Sequence, residues 1–142
     1  MKKSLLVLSS ILMLSTASIA NENSAKGLNV IITSGDAQTQ MMGMVLSMAT
    51  LKQNKVVNMT LCSKAGDLAV KAMESPSLKP MDKSPKMMLQ ALIKQGAKVD
   101  LCPIYLPNSS NAKAELLEGI IIATPAGGAT NLLNKDFQNL SY

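Results

Sequence analysis

The arrangement of short runs rich in apolar and β-branched residues, separated by segments with helical periodicity, most constrains the fold of this chain. Such runs are typical of strands buried on both faces, and strands that alternate with helices are typical of a parallel sheet. Four strands are predicted over residues 28–33, 55–62, 99–102 and 119–124, and an edge strand over 137–142. The sequence therefore predicts an α/β fold with a mostly parallel sheet of about five strands and helices on both faces.

Apolar spacing and capping residues identify the helices. In the longest, residues 39–51, apolar positions recur at intervals of three and four, which gives the helix one face for a core. These positions are Met41, Met44, Val45, Met48 and Leu51. Ser84 and Pro85 are typical of a helix start, and Gly96 of a helix end. Shorter helices are predicted at three further places: residues 63–73, residues 112–118 and the segment that begins near Pro125.

The N-terminus has the pattern of a secretory signal peptide: a basic start, an apolar stretch over residues 5–14 and small residues at 18–20. The apolar stretch is short for a membrane span, so an uncleaved anchor is the less favoured alternative. We therefore predict a signal peptide over residues 1–20 and a single domain over 21–142. The expected location is the periplasm, with no membrane contact after cleavage.

Composition excludes several familiar sites. The chain contains no histidine, arginine or tryptophan, so one copy cannot assemble a Ser–His–Asp triad, a Cys–His pair or a histidine-ligated zinc. Only two tyrosines and one phenylalanine are present, and the lysines are scattered, so a nucleic-acid partner is not predicted. No cofactor is predicted either. The remaining chemistry belongs to sulfur, carboxylates, lysines and the backbone.

Four residues fall where predicted strands end, namely Ser34, Cys62, Cys102 and Thr124. Ligands and reactive groups of parallel α/β sheets gather at the carboxyl ends of the strands. Cys102, a thiol between a buried strand and a loop, is the predicted reactive residue, and Cys62 is the second candidate.

The segment from Gln95 to Pro103, with its glycine, strand and cysteine, resembles the DsrE/DsrF-like family of small sulfur-relay proteins. The first strand ending at Ser34, the methionine-rich helix and the Gly127-Gly128 turn are similar as well. This resemblance implies a flavodoxin-like doubly wound sheet, trimers or hexamers, and a cysteine, Cys102, that carries sulfane sulfur as a persulfide. The secretory signal is a departure from the cytoplasmic members of that family.

The expected function is a periplasmic thiol protein that carries sulfur, or undergoes thiol redox exchange, through Cys102. Its thiolate would attack a sulfane-sulfur donor and pass the sulfur to an acceptor thiol, with Cys62 resolving or modulating that step. The expected partners are thiol proteins or small sulfane-sulfur compounds. Whether the protein is a carrier or an enzyme stays open.

The relation between the two cysteines has alternatives. Two cysteines in an exported protein are candidates for a disulfide. In a flavodoxin-like strand order, however, the first strand would lie between those bearing Cys62 and Cys102. The separation would then be about 9–10 Å, beyond the usual limit of roughly 7 Å between the Cα atoms of a disulfide. Separate thiols or a reversible pair are therefore favoured over a permanent bridge.

Methionine supports a second class of function, because 11 methionines and two thiols could bind copper(I). Methionine also fills irregular cores, and core packing is the favoured interpretation for Met41, Met44 and Met48, which recur at helical spacing. Met42 lies outside that set. A third alternative is a non-catalytic subunit of an oligomeric assembly.

Three further features have both a functional and an ordinary interpretation, and the ordinary one is favoured for each. Asp36 is expected to cap the turn after the first strand. Gly127-Gly128 is expected to form a tight turn rather than an anion cradle. Lys64 is expected to be a surface residue rather than a partner of the Cys62 thiolate.

Overall fold

A computed structural model describes residues 24–110 and 113–142, so the predicted signal peptide lies outside the described residues. The strands are β1 (Gly27–Ile32), β2 (Val56–Leu61), β3 (Lys98–Leu101), β4 (Ile120–Ile122) and β5 (Phe137–Ser141). The α-helices are α1 (Ala37–Lys52), α2 (Pro85–Lys94) and α3 (Pro125–Leu133), and two 3₁₀ helices span Ser63–Ala69 and Leu106–Asn108. Within the described part of the chain, no helix combines the length and the apolar character needed to cross a membrane. The predicted α/β class is confirmed.

The five strands form one parallel sheet in the order β4-β3-β2-β1-β5. Helices α1 and α2 pack against each other on one face, where Ile32, Leu61 and Leu101 are fully buried. Helix α3 lies on the opposite face. This position is shown by a hydrogen bond from the side chain of Asn29, on β1, to the Asn131 carbonyl of α3. Each face of the sheet therefore carries helix, as the sequence predicts, and α3 leaves Ile121 of β4 65% exposed.

The strand order differs from the expectation of a flavodoxin-like arrangement. There β1 would separate β2 from β3, whereas in this protein β2 pairs with β1 on one side and β3 on the other. Strands β2, β3 and β4 each lie next to the preceding strand, so the sheet grows in one direction from β1. The connection through α3 then returns to the other side of β1, where β5 is placed. The carboxyl ends of β2 and β3 are consequently neighbours.

Two local predictions are wrong. No helix forms over residues 113–118, the described part of the helix predicted near 112–118. The backbone there pairs with another segment instead: the Leu117 amide donates to the Ala69 carbonyl at 2.8 Å. In α1, Val45 is exposed rather than buried. The helix approaches the sheet through Gly43, where a Cβ would lie 2.8 Å from Ile32, so the buried face is rotated away from Val45.

A row of asparagines crosses the α3 face of the sheet. Asn58, Asn29 and Asn139 occupy matching positions on β2, β1 and β5, and their amides are linked by two hydrogen bonds of 3.0 Å. Asn139 also donates to the Leu132 carbonyl at 2.9 Å. The row therefore satisfies polar groups at the end of α3 and fixes that helix to the sheet.

Asp100, on β3, lies on the same face of the sheet, and the effect of burial on its carboxyl can be tested. Burial raises the pKa of its carboxyl above the ordinary 3.8, and Lys98 partly opposes the shift. Since the folded-state pKa is raised, ionised Asp100 opposes folding above that pKa, and the cost is relieved as the pH falls through it. We expect Asp100→Asn to stabilise the protein at neutral pH by less than about 1 kcal/mol, because the group is partly solvated. Thermal unfolding should show this gain shrinking in acid. Glu118→Gln, at an exposed site, is the control, and an equal gain for Asp100→Asn at both pH values would contradict the assignment.

Candidate functional site

Cys62 and Cys102 lie side by side at the carboxyl edge of the sheet. Leu61 and Leu101 are paired across β2 and β3, and each cysteine follows its leucine directly. The Cys102 amide donates to the Leu61 carbonyl at 2.8 Å, which continues the pairing past the strand ends. Neighbouring strands lie about 4.8 Å apart, within the roughly 4.4–6.8 Å Cα separation of disulfides. The predicted separation of two strand spacings is therefore wrong, because it rested on the other strand order.

Both cysteines are free thiols of intermediate exposure. Burial raises the pKa of the Cys62 thiol, and a hydrogen bond with Cys102 raises it further, whereas the Ser63 amide acts in the opposite direction. Cys62 therefore keeps its proton, and its S–H group can donate to the Cys102 sulfur. The Cys62 side chain therefore has the Cys102 side chain as its direct neighbour.

The local backbone explains how the two loops leave this edge together. After β2 the chain turns through Ser63, whose φ is 50°, into the 3₁₀ helix 63–69. After β3 it turns at Pro103, and the Tyr105 amide donates to the Cys102 carbonyl at 3.1 Å. Each cysteine is thus the last extended residue before a tight turn, where its side chain is held by the sheet and reaches the surface.

A buried tyrosine connects the two loops. Tyr105, only 6% exposed, donates its hydroxyl to Asp67 Oδ1 at 2.5 Å. Its ring packs on Gly66, where a Cβ would come within 2.3 Å of the ring. Lys64 Nζ lies 3.7 Å from Asp67 Oδ2. No pattern in the sequence predicts this contact, and the one available signal is the scarcity of aromatic residues, which makes a tyrosine three positions after Cys102 stand out.

A pocket of about 510 Å³ opens beside Cys62. Its lining includes Cys62, Lys64, Asp67, Met73 and Ile104, and Cys102 is not among the described residues that line it. Among the described residues, the pocket thus borders Cys62 and not Cys102.

Lys86, on α2, fixes one wall of this pocket. Its ammonium group donates to the carbonyls of Val70, Lys71 and Met73, the last at 2.7 Å. Burial lowers the pKa of Lys86, and Glu74 partly opposes this. The position of Met73 therefore depends on a contact with a helix of the core.

Other residues at strand ends act as local caps. Asp36 begins α1: its Oδ1 accepts from the Thr39 amide at 2.8 Å, and hydrogen bonds from Thr39 lower the pKa of the carboxyl. Thr124 begins α3 by accepting from the Gly127 amide at 3.1 Å. The cap expected of Asp36 is present, and none of these residues lines the pocket beside Cys62.

The methionines divide into core and surface groups. Met41, Met44 and Met88 are buried in the hydrophobic core, which is the packing role favoured by their spacing. Met42 is 52% exposed, outside the core group. Among residues 24–110 and 113–142, no group of three or more histidine, cysteine, aspartate or glutamate side chains could hold a metal ion.

Comparison with known proteins identifies the fold. No family model and no curated protein matches the chain. Among solved structures, the ychN protein from E. coli is similar, with a TM-score of 0.67 and 21% identity over 82% of this chain and 99% of its own. The protein of unknown function MTH1491 from Methanobacterium thermoautotrophicum is similar with a TM-score of 0.57 and 12% identity, over 82% of this chain and 98% of its own. At these identities the likeness establishes a shared fold.

Proposed function

We propose that this protein carries sulfane sulfur, or exchanges thiols and disulfides, through Cys102, with Cys62 as the second thiol of the reaction. The observation that carries the proposal is the juxtaposition of the two thiols, each of which directly follows the paired ends of β2 and β3. The resemblance of the segment around Cys102 to the DsrE/DsrF-like sulfur-relay family supports the same chemistry, and the fold shared with ychN is compatible with it.

The loading step is a transfer of one sulfur atom. Cys102, as a thiolate, attacks a sulfane sulfur of a polysulfide, the S–S bond of the donor breaks, and the shortened polysulfide leaves with the electron pair. Cys102 then carries Cys–S–S⁻. An acceptor thiol can take the terminal sulfur, which regenerates Cys102.

The adjacent thiol offers a second outcome. Cys62 loses its proton and attacks the inner sulfur of the Cys102 persulfide, so the Cys62–Cys102 bond forms and HS⁻ leaves. In this branch the sulfane sulfur is reduced to sulfide, and the two cysteines are oxidised to a disulfide.

Polysulfide loading tests the proposal. Intact-mass measurement with thiol alkylation should show a gain of one sulfur atom on Cys102 in the Cys62→Ser protein. The Cys102→Ser protein should lose this loading, because the attacking sulfur is absent. Peptide mapping assigns the adduct and separates it from oxidation by two oxygen atoms. Loading of Cys102→Ser to the extent of the wild type would contradict the proposal.

Location and assembly are further parts of the proposal. Periplasmic location is supported by the signal-like pattern of residues 1–20. Assembly into a homo-oligomer is supported by large apolar side chains that are exposed in the single chain, including Ile121 and Leu133.

A further inference from the structure

The pocket beside Cys62 has the size of a site for an organic molecule. Its volume of about 510 Å³ falls within the roughly 300–1,000 Å³ of small-molecule sites. Sulfide or a short inorganic sulfur anion would leave most of this space to water. Met73 and the ring of Tyr105 supply apolar surface, and Ile104, 64% exposed, extends that surface at the pocket.

The charged side chains that line the pocket limit the class of ligand further. Lys64 and Asp67 both line the pocket next to Cys62, and their charged groups lie 3.7 Å apart. Asp67 is held by Tyr105, and its carboxylate retains acceptor capacity beyond that bond. A neighbouring cation and anion suit a ligand that carries both an ammonium and a carboxylate group, and they give no preference to a dianion such as thiosulfate.

We infer that this pocket admits a thiol of amino-acid to short-peptide size, which reacts with Cys62 and returns the Cys62–Cys102 disulfide to two thiols. The inference rests on the proposed function, since it supplies the reductant for the disulfide formed there. Its basis is that the pocket touches Cys62 and not Cys102 among the described residues. A thiol bound there meets the Cys62 sulfur, with Cys102 as the leaving group.

The electrons and protons of this step balance. The incoming thiol loses its proton and attacks the Cys62 sulfur, and the S–S bond to Cys102 breaks. Cys102 leaves as a thiolate and takes up the proton, while Cys62 is joined to the ligand as a mixed disulfide. A second thiol attacks the ligand sulfur of that mixed disulfide, releases Cys62 as a thiol and forms the disulfide of the small molecule.

The test follows the same exchange with glutathione disulfide as the probe. Cys102→Ser leaves Cys62 as the lone thiol, and Cys62→Ser leaves Cys102. For each protein, the rate of mixed-disulfide formation is divided by the rate of alkylation with iodoacetamide, which removes differences in intrinsic thiol reactivity. The normalised rate should be about tenfold higher for Cys62, equivalent to roughly 1.4 kcal/mol of ligand contact. A ratio that is equal or higher for Cys102 would overturn the inference.

Two further variants, made in the Cys102→Ser protein, test the pocket itself. Ile104→Ser should lower the normalised rate severalfold, and Leu133→Ser, at an 84% exposed apolar site outside the pocket, should leave it unchanged. Lys64→Gln should reduce the preference for glutathione disulfide over the uncharged hydroxyethyl disulfide. Thermal unfolding confirms that each variant is folded. If neither Ile104→Ser nor Lys64→Gln has its effect, the assignment of the pocket fails.

Failure of this inference and failure of the proposed function are distinguishable. Persulfide on Cys102 without any preference of glutathione disulfide for Cys62 overturns the pocket alone. Selective reaction at Cys62 without persulfide on Cys102 overturns sulfur carriage and leaves the pocket in place.

Discussion

Replacement of Cys62 by serine is expected to lengthen the lifetime of sulfane sulfur on Cys102 by on the order of a hundredfold or more, because well-oriented intramolecular groups reach effective molarities far above those of free thiols. In the wild type, the Cys62 thiol lies next to Cys102 and can displace HS⁻ from its persulfide. Serine preserves the size of the side chain but removes the attacking sulfur. The measurement is the mass of polysulfide-treated protein over time after the donor is removed.

Sulfide release provides the stoichiometric check. The wild type should release one HS⁻ for each Cys62–Cys102 disulfide formed, and Cys62→Ser should release none by this route. Ser63→Ala, which changes the neighbouring hydroxyl and retains both thiols, should decay as the wild type does. Equal persulfide lifetimes in the wild type and in Cys62→Ser would show that Cys62 does not act as the resolving thiol.

Alanine at Gly66 is expected to lower the free energy of unfolding by about 2–3 kcal/mol, the upper part of the range for overpacked cores. The added Cβ would lie 2.3 Å from the Tyr105 ring, and both residues are buried, so the ring must move. This displacement also disrupts the hydrogen bond from Tyr105 to Asp67. Urea unfolding followed by circular dichroism measures the loss.

Gly128→Ala is the matched control for this substitution. Gly128 lies within α3, and apart from its chain neighbours and the nearby backbone of its own helix, no atom of the described residues lies within 4 Å of the position a Cβ would occupy. Alanine there should stabilise the protein slightly, since glycine costs roughly 0.5–1 kcal/mol relative to alanine in a helix. An unchanged urea midpoint for Gly66→Ala would show that the tyrosine can shift at little cost.

The elements that could be predicted from sequence are those set by local chemistry. The start of α2 follows from Ser84, whose hydroxyl accepts from the Met87 amide at 3.2 Å, and Pro85 occupies its first turn. Its end follows from Gly96, which has a φ of 92°. Strands β1 and β4 follow from runs of β-branched residues. In each case, a few neighbouring residues determine the conformation.

The arrangement of the site could not be predicted in the same way. Cys62 and Cys102 were identified as candidates, but their contact depends on the order of the strands, which is decided by how whole helices cross the sheet. The hydrogen bond from Tyr105 to Asp67 joins residues 38 positions apart, so no local pattern encodes it. The failed prediction near residues 112–118 has the same origin, because the described backbone there pairs with a distant segment.

The position of the two cysteines on neighbouring strands has a consequence for the unfolded chain. A bridge between Cys62 and Cys102 would close a loop of about 40 residues that contains α2 and the whole of β3, and the restricted conformational entropy of a cross-linked unfolded chain corresponds to about 4 kcal/mol. Each oxidation would therefore make the molecule more resistant to heat, and each reduction would return it to a less stable state. The redox state of a single pair of sulfur atoms would then set the melting temperature of the whole domain.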